Sequence, residues 1–566
     1  MSRVVLDIET NDLNNPSTIW MVCVNDLDTG EIECLTNAQE LRDRLDIVEQ
    51  VIGHNLVAFD KYQLMRLWQV EIPLTKCFDT LIVSRLMKPD LPGGHSLEEW
   101  GNRLNVRKGD YKAEYLARHP ENYYELKEWK EPDLVLMQRY CEQDTRVTAR
   151  LLKHLEKQLA AQRFVGECVV LEHQVADIIA EQERNGVLID QKALGMLYAE
   201  VSDEVGRIEK GLVAKFEPNV VQLKTKQKIT PFNPGSRQQI VDRLMKRGWK
   251  PVEKTEKGNI QLDEEILKHI DIPEAKDFLA YFVITKIQAF LTNWLDKIAD
   301  DGRIHGKVIS NGAVTGRMTH STPNLGQVPR HSDDPLIGRC REVFTVPHGM
   351  AMVGIDASGL ELRMLAHYMQ DEDYVNSVTN GTREAKTDVH SVNQKAAGLG
   401  TRDQAKTFIY AFLYGAGSAK IGKIVGGSSE DGERLIANFL AATPALASLK
   451  AKVARMAAKG SLPGLDGRRL YIRKVHSALN TLLQGAGAIV MKKALIIFKL
   501  LLDSRHIPHK FVLNVHDEWQ VETPEKYGEE VGQLGVMAIR QAGVALALRC
   551  PLDAEYKVGR NWSETH

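Results

Sequence analysis

The sequence predicts an α+β protein that is divided into several domains. A chain of 566 residues is long enough for more than one hydrophobic core. Strand-like segments lie near both ends, at residues 3–10 and 511–522, whereas the stretch from about 151 to 209 is long, polar and helical. Hydrophobic content of 43% and charged content of 26% are ordinary for a soluble globular protein.

Charge and cysteine content limit the class of protein. The formal net charge of −2 argues against a simple cationic nucleic-acid coat protein, but not against a DNA enzyme, because acidic metal sites offset basic grooves. Seven scattered cysteines form no CxxC pair, so we expect a reducing compartment and neither a zinc module nor a disulfide scaffold. A strand-like run directly after Met-Ser-Arg leaves no room for a signal peptide, and the best apolar run, 494–502, is too short for a bilayer. The sequence therefore predicts a cytoplasmic protein outside the membrane.

The first third of the chain carries four acidic residues on three segments. Asp7 and Glu9 are two apart on the first strand and so share one face, although alternating acids occur on any exposed strand. Asp60 stands where a helix follows a strand, a position at which aspartate is often only an N-cap. Tyr140 and Asp144 are four apart on a helical segment and project from one face. Each signal is weak alone, but the ordered set is specific.

This ordered set resembles the three motifs of the DEDDy 3′–5′ proofreading exonucleases, which read here as Asp7-x-Glu9, Asn55-x-x-x-Phe59-Asp60 and Tyr140-x-x-x-Asp144. The resemblance implies an RNase H-like domain in which Tyr140 orients the attacking water. It also implies that two Mg²⁺ or Mn²⁺ ions are bound by the four acids Asp7, Glu9, Asp60 and Asp144. Paired metals can activate a water and stabilise the leaving oxygen of a phosphodiester. All the motif acids are present, so we expect an active nuclease.

A loop rich in glycine and proline at residues 315–329 contains Arg317 and Gln327. Such a segment can lie along a nucleic-acid groove, or it can be an ordinary surface loop.

One helix in the last half carries a regular stripe. Arg402, Lys406, Tyr410 and Tyr414 recur every four residues, so two cations and two aromatic rings lie along one face. This face suits a ligand with a phosphate end and a ring end, such as a nucleoside triphosphate. The alternative is an amphipathic helix with aromatic core residues and snorkelling bases. The functional interpretation is favoured because Phe408, Ile409, Phe412 and Leu413 already supply a separate core-facing side.

Two further acidic segments suggest a second metal site. An apolar strand ends at Asp356 just before a helix, and a hairpin near the end places Asp517 and Glu518 in its predicted turn. Two carboxylates in a tight turn are usually only solvated. If the fold brings Asp356 and Asp517 together, however, they form a platform for divalent metal ions.

These stretches resemble motifs A, B and C of the family A DNA polymerases, and details around residues 402–410 and 479–484 resemble the replicative polymerases of short-tailed phages. The resemblance implies two-metal nucleotidyl transfer, with two Mg²⁺ ions (Mn²⁺ is possible) held by Asp356, Asp517 and the Ala357 carbonyl. Glu518 is expected to be a supporting acid.

The resemblance also implies roles for other side chains. Lys406 and Arg402, with His390, would bind phosphates, and Glu361 would exclude ribonucleotides near the sugar 2′ position. Tyr410 would pack over the incoming nucleotide, and Tyr414 would occupy the template-base position before insertion. The positions that match primer or template contacts are Arg317, Gln327, Gln484 and His516.

Two departures from the family pattern lie on the same helix. Ala411 stands where many relatives have glycine, which puts in doubt how the nascent base pair is accommodated. Tyrosine at 410 is associated in the family with weak discrimination against dideoxynucleotides, so we expect ready chain termination.

The implied architecture is an RNase H-like exonuclease (1–165) followed by a right hand: thumb (166–302), first palm part (303–395), fingers (396–475) and second palm part (476–566). The implied partners are primer-template DNA, deoxynucleoside triphosphates, a helicase-primase and a single-stranded-DNA-binding protein, with the chain acting as a monomer in the host cytoplasm. Thioredoxin-dependent phage relatives carry a long basic insertion in the thumb, for which 186–232 has no room, so no thioredoxin clamp is expected.

Two rival interpretations remain. A single-subunit RNA polymerase shares a Lys–Tyr helix and acidic palm residues, but the proofreading motifs and Glu361 argue against it. A replication factor that binds DNA without chemistry is disfavoured because both acidic sets are complete.

Overall fold

The computed structural model describes residues 2–122, 127–162, 164, 166–222, 227–251, 254–255, 257–329 and 334–566. Its mixed α and β content confirms the predicted class. The chain divides into two compact units, the first formed by 1–185, 308–320 and 353–556, and the second by 186–307, 321–352 and 557–566. The five predicted domain segments do not map one for one onto these units and stay a prediction.

The N-terminal part of the first unit is a sheet flanked by helices. Its five strands have the order β3-β2-β1-β4-β5, with β1, β2 and β3 antiparallel and β4 and β5 parallel to β1. Its elements are β1 (Arg3–Thr10), β2 (Ile19–Asp26), β3 (Ile32–Leu35), α1 (Ala38–Asp46), β4 (Gln50–Gly53), α2 (Asp60–Gln63), β5 (Cys77–Asp79), α3 (Thr80–Met87), α4 (Leu97–Leu104), α5 (Tyr111–Arg118), α6 (Leu134–Gln162) and α7 (Gly166–Asn185).

The sequence predicted no disulfide scaffold, and it did not reveal the one disulfide found among the described residues. Cys23 and Cys34 form a disulfide, because the β2–β3 register places them directly opposite each other. Cysteine spacing alone does not reveal such a cross-strand pair, since strand register decides it. The other five cysteines are buried and take part in no disulfide.

The middle of the chain is mostly helical. The predicted break at Asn185–Gly186 is confirmed, since α7 ends at Asn185 and Gly186 takes a left-handed φ of 60°. The elements that follow are β6 (Val187–Ile189), α8 (Gln191–Lys215), β7 (Asn219–Gln222), β8 (Gln227–Thr230), α9 (Arg237–Lys246), α10 (Glu264–Lys268), α11 (Pro273–Leu295), β9 (Arg303–Ile304), β10 (Lys307–Ile309), β11 (Thr319–Ser321), α12 (Pro335–Gly338) and β12 (Phe344–Thr345).

Among the described residues, α11 is the one helix whose length and apolar composition would allow it to cross a membrane. It packs against α8, and its Phe278 is fully buried in a core shared with Phe216 and Phe232. A core helix of a globular domain passes the same composition test, and these contacts are those of a core helix.

The last part of the chain returns to the first unit with a four-stranded sheet of order β16-β17-β13-β18. Its elements are β13 (Met350–Ala357), α13 (Leu360–Met369), α14 (Glu372–Thr379), α15 (Val389–Ala397), α16 (Arg402–Leu413), α17 (Ser418–Ile424), α18 (Ser429–Ala442), α19 (Pro444–Ala457), β14 (Ser461–Pro463), β15 (Arg469–Tyr471), α20 (Ala478–Ser504), β16 (Lys510–Val515), β17 (Glu518–Pro524), α21 (Gly528–Ala545) and β18 (Ala554–Gly559). Helices α20 and α21 contribute many of the residues of the large core that covers this sheet.

Candidate active sites

The turn between β16 and β17 lies against the end of β13. The Ala357 N–H donates to the Asp517 carbonyl oxygen at 3.1 Å, so the two acidic segments predicted to meet are joined through the backbone. Asp356 is exposed and Asp517 is partly exposed, although the strand residues before them are buried. The sheet therefore brings the two acidic residues to one end, where a ligand can reach them.

The turn itself differs from the prediction. The two turn residues are His516, with φ of 58°, and Asp517, whereas Glu518 is the first residue of β17 and pairs with Val515. Glu518 is only 4% exposed, and its Oε1 accepts from the Gln520 amide at 2.5 Å. The placement of Glu518 in the turn was wrong, because the left-handed His516 closes the hairpin one residue earlier.

Glu361, in the first turn of α13, is held by two residues that were predicted from other motifs. Its Oε2 accepts from the Tyr414 hydroxyl at 2.8 Å, and its Oε1 accepts from the Arg317 guanidinium at 3.1 Å. Burial and the Glu361 carboxylate raise the pKa of Tyr414, so the tyrosine is a neutral donor at physiological pH. Three residues from distant segments thus form one polar node.

Helix α16 has the two faces that the sequence predicted. Thr401 and Gln404 form a capping box at its N-terminus, and Phe408, Ile409, Phe412 and Leu413 are buried. Arg402, Lys406 and Tyr410 lie on the less buried side, while Tyr414 is the C-cap residue and 48% exposed. Burial raises the pKa of Tyr410, and the nearby Glu361 and Asp517 carboxylates raise it further.

Asp388, which sequence reasoning missed, organises the cationic end of this helix. Arg402 donates to Asp388 Oδ2 through two nitrogens at 2.7 and 3.0 Å. Although burial opposes it, the hydrogen bonds from Arg402 and Ser391 lower the pKa of Asp388 to about 2. Asp388 also caps α15 by accepting from the His390 N–H, which brings His390 beside Arg402.

His390 is half-buried in a cationic environment. Burial, Arg402 and Lys406 lower its pKa, so the ring is neutral at physiological pH. Its Nδ1 is buried without a hydrogen-bond partner, and its ring lies 6.4 Å from that of Tyr410. The structure therefore gathers the three predicted phosphate-binding residues at one end of the stripe.

The remaining predicted DNA contacts have different locations. Gln484 lies partly buried on α20, and His516 is exposed in the β16–β17 turn. Burial, together with the nearby His516, lowers the pKa of His320 to about 4. Gln327 is exposed in a short 3₁₀ turn, Leu325–Gln327, of the second unit.

A second acidic cluster lies on the five-stranded sheet. Asp7 and Glu9 share one side of β1, as predicted, and ligand atoms of Asp7, Glu9 and Cys141 lie within 4.8 Å of one another. Burial and the Asp144 carboxylate raise the pKa of Asp7 to about 7, and burial with Asp7 raises that of Glu9 well above its usual range. These shifts are the signature of like charges that are crowded together away from water.

Asp60 and Asp144 complete this cluster. The N-cap of α2 is Phe59, so Asp60 is a buried first residue of the helix and the capping interpretation was wrong. Burial and Asp7 raise the pKa of Asp60, and burial raises that of Asp144 to about 6. The predicted set of four acids is thus brought to one place.

Lys108 is a member of this cluster that sequence reasoning missed. Its Nζ lies 2.7 Å from Asp144 Oδ2 and 4.7 Å from the centre of the Tyr140 ring. Burial alone would lower the pKa of Lys108, but Asp144 and Tyr140 raise it. The sequence motifs of the four acids do not include Lys108, and no regular spacing from those acids marks it in the sequence.

Both acidic sites fit divalent cations. Carboxylate and carbonyl oxygens are the donors that Mg²⁺ and Mn²⁺ prefer. In the N-terminal cluster, Asp144 Oδ1 is buried without a hydrogen-bond partner, and four carboxylates, three of them buried, lie beside Lys108 with an excess of negative charge. A bound cation satisfies both conditions.

Comparison with known proteins agrees with this arrangement. The sequence model of DNA polymerase family A matches residues 203–564. The DNA-directed DNA polymerases of Enterobacteria phage T3 and Escherichia phage T7 are each 33% identical to this chain, over 91% of it and 92% of their own length. DNA polymerase I of Pseudomonas aeruginosa is 27% identical over 75% of this chain and 47% of its own length.

A solved structure described as the "POL domain of Pol1 from M. smegmatis complex with DNA primer-template and dNTP" has a TM-score of 0.80. It is 20% identical and covers 99% of this chain and 96% of that chain, which shows a shared polymerase fold. The chain belongs to DNA polymerase family A. The predicted resemblance to phage replicative polymerases is thereby confirmed.

Proposed function

We propose that the chain is a DNA-directed DNA polymerase that extends a primer by two-metal nucleotidyl transfer and proofreads with a 3′–5′ exonuclease. The observation that carries the polymerase assignment is the joining of the Asp356 and Asp517 segments by the Ala357–Asp517 backbone bond. Two carboxylates at one end of a rigid sheet are a suitable mount for paired Mg²⁺ ions.

The metal-binding residues of the polymerase site are Asp356, Asp517 and the Ala357 carbonyl, with Mn²⁺ as a possible substitute for Mg²⁺. The ions, when bound, supply Lewis acidity at the primer 3′-hydroxyl and the triphosphate. Glu518 supports the turn from within β17, where Gln520 fixes its carboxylate.

The fingers helix α16 supplies the nucleotide-binding side chains. Lys406, exposed on its stripe, and Arg402 bind phosphate oxygens, and neutral His390 adds a hydrogen bond through its unpartnered Nδ1. Arg402 must exchange its two bonds to Asp388 for bonds to phosphate, so Asp388 holds the guanidinium in position until the nucleotide arrives.

The node at Glu361 selects the sugar and places the template. The Glu361 carboxylate lies near Tyr410, which packs over the nucleotide, and a 2′-hydroxyl would meet both its bulk and its charge. Tyr414, hydrogen-bonded to Glu361, occupies the position of the next template base and leaves it on insertion. Arg317, Gln327, Gln484 and His516 contact primer or template.

The exonuclease assignment rests on the acidic cluster of the five-stranded sheet. Its strand order, with one parallel and one antiparallel side of β1, is compatible with an RNase H-like fold. Asp7, Glu9, Asp60 and Asp144 would hold two Mg²⁺ or Mn²⁺ ions, which supply an activated water when bound. Lys108 restrains Asp144 and the Tyr140 ring, so it fixes the tyrosine that orients that water.

A primer-extension gel with and without nucleotides tests both assignments in one experiment. Asp517→Asn should abolish extension and leave degradation of single-stranded DNA without nucleotides. Asp7→Asn should do the reverse, and Asp28→Asn, an exposed acid in the β2–β3 turn, should change neither. Wild-type inactivity in either reaction, or full activity of its site variant, would refute that assignment.

Ribonucleotide incorporation separates a DNA polymerase from an RNA polymerase that shares its helix motif. Wild type should incorporate deoxynucleotides, and Glu361→Ala should gain ribonucleotides. Preferential ribonucleotide incorporation by wild type would contradict the assignment.

The proposed partners are primer-template DNA, deoxynucleoside triphosphates, a helicase-primase and a single-stranded-DNA-binding protein, for a monomer in the host cytoplasm. The alignment to the phage relatives spans 660 positions although it covers 91% of this 566-residue chain, so those relatives carry segments that this chain lacks. This supports replication without a thioredoxin clamp. A large thioredoxin-dependent gain in product length would contradict it.

A further inference from the structure

The N-terminal acidic cluster contains a thiol that its sequence motifs do not include. Cys141 follows Tyr140 on α6, is fully buried and lies 3.5 Å from Asp7 Oδ2. One ligand atom each from Cys141, Asp7 and Glu9 lies within 4.8 Å of the other two. Two donors of one Zn²⁺ ion, each about 2.0–2.3 Å from it, are no more than about 4.6 Å apart, so these three atoms need only a small adjustment to share an ion.

A second observation points to a cation at the same place. Asp144, one turn along α6 from Tyr140, is 3% exposed, and its Oδ1 has no hydrogen-bond partner. Its other oxygen is held by Lys108 at 2.7 Å, so the carboxylate cannot simply turn both oxygens toward protein donors. Asp144 is three residues from Cys141 on α6, so the two side chains are neighbours on one face of the helix.

We infer that Cys141 is a metal ligand of this cluster and makes it a selective site for a thiophilic divalent cation, Zn²⁺ or Cd²⁺, in competition with Mg²⁺. The inference rests on the proposed exonuclease function only in that both use this cluster. Mg²⁺ is a hard ion that takes oxygen ligands and leaves the thiol uncoordinated. Zn²⁺ and Cd²⁺ bind sulfur strongly, so the same pocket offers them one sulfur and two or more oxygens.

The binding step is balanced by one proton. The thiol S–H bond breaks, the proton passes to solvent, and the sulfur lone pair forms the bond to the cation. No oxidant or reductant takes part. Because Cys141 and the acids belong to one cluster, a thiophilic ion held by the sulfur occupies space that Mg²⁺ needs, and nuclease activity falls while it is bound.

Cadmium is the probe that reports the sulfur directly. The full-length protein, kept free of oxygen and without added reductant so that the Cys23–Cys34 disulfide stays intact, is titrated with Cd²⁺ while the thiolate-to-cadmium charge-transfer absorbance is followed. Wild type should give this absorbance at one equivalent. Cys141→Ser should lose it and bind Cd²⁺ at least about tenfold more weakly, as expected for loss of a ligand or its support. Cys340→Ser, which removes a buried thiol of the second unit, should behave as wild type.

Two further measurements complete the test. Asp7→Asn, which keeps the thiol but removes an oxygen donor, should also weaken Cd²⁺ binding. The cadmium NMR shift of wild type should indicate a mixed sulfur–oxygen ligand set, and this result does not depend on any variant folding. An all-oxygen shift, or an undiminished absorbance in Cys141→Ser, would overturn the inference.

A separate nuclease assay with Mg²⁺ keeps the two proposals distinct. Cadmium binding through Cys141 in a protein without nuclease activity would refute the exonuclease and leave this inference standing. An active nuclease whose Cd²⁺ affinity is independent of Cys141 would do the opposite.

Discussion

A fully buried charge network inside the first unit gives the sharpest stability prediction. Glu172 on α7 is 0% exposed, and its Oε1 lies 2.7 Å from both Lys492 Nζ on α20 and the Arg468 guanidinium. Lys492 and Arg468 also donate to Asn311 Oδ1, at 2.8 and 3.3 Å. Arg468 has a second carboxylate partner in Asp466 at 2.6 Å. The two positive charges of Lys492 and Arg468 are matched by two carboxylates only while Glu172 is ionised.

Glu172→Gln keeps the volume and one acceptor oxygen but removes the charge shared by two cations. Removal of one partner from a buried ion pair costs about 3–5 kcal/mol, because the other charge stays uncompensated. Lys492 can reduce this cost by releasing its proton, since burial lowers its pKa to about 8. Arg468 cannot release its proton, so we expect Glu172→Gln to destabilise the fold by about 3 kcal/mol, the lower end of that range.

Hydrogen exchange measures this cost locally, which matters because a chain with two compact units need not unfold in one step. Amides of α7 and α20 beside the network should exchange about a hundredfold faster in Glu172→Gln, since about 1.4 kcal/mol is a factor of ten. The matched control is Glu181→Gln on the same helix, whose partner Lys499 lies 3.7 Å away at the surface. Surface pairs contribute about 0–1 kcal/mol, so it should exchange at most about fivefold faster.

The reasoning fails if the two variants exchange alike. It also fails if Glu172→Gln changes only amides of the N-terminal sheet, because the charges at risk lie on α20 and beside β15. Equal exchange would mean that Arg468 is compensated by Asp466 alone.

Three other predictions follow from single residues. Because burial lowers the pKa of Lys492 to about 8, the unfolded chain binds more protons between pH 8 and the ordinary lysine pKa; stability should therefore rise with pH over that window, and the rise should vanish in Lys492→Met. Lys108→Met should slow degradation of single-stranded DNA by about 10- to 100-fold, as loss of an orienting partner does, with primer extension unchanged as the internal control. In a competition assay, Tyr410→Phe should increase discrimination against dideoxynucleotides by about tenfold, which corresponds to the free energy of one hydrogen bond. Unchanged discrimination would show that the tyrosine hydroxyl does not promote chain termination.

The sequence located the acids and the stripe because local geometry controls them. Side chains alternate along a strand, which placed Asp7 and Glu9 on one side of β1. Residues four apart share one face of a helix, which separated the Arg402–Tyr410 stripe from buried Phe408. What it missed depends on contacts across the fold. The partner of Arg402 is Asp388, fourteen residues earlier in the chain at the N-cap of α15. The sequence around Asp388 shows a helix cap and gives no sign of the pair.

Register and backbone conformation account for the other errors. The Cys23–Cys34 pair is fixed by the alignment of β2 with β3, which a shift of one residue would abolish. Glu518 was placed in the turn because the left-handed φ of His516 cannot be inferred from residue type. Lys108 and Cys141 enter the N-terminal cluster beside motif residues, but neither has a motif position of its own.

The polar groups assigned to the nucleotide are largely engaged with protein before it binds. Arg402 is held by Asp388, and Glu361 accepts from both Tyr414 and Arg317. On the proposed assignment, nucleotide binding at this site is an exchange of partners, and its net free energy is a small difference between bonds made and bonds broken. A nucleotide that cannot replace these bonds leaves partly buried charges unpaired, which costs more than a missing contact. The proposal then implies that selectivity depends on how completely the incoming nucleotide replaces the Asp388 and Tyr414 interactions, so that the bonds made before the nucleotide binds contribute to specificity.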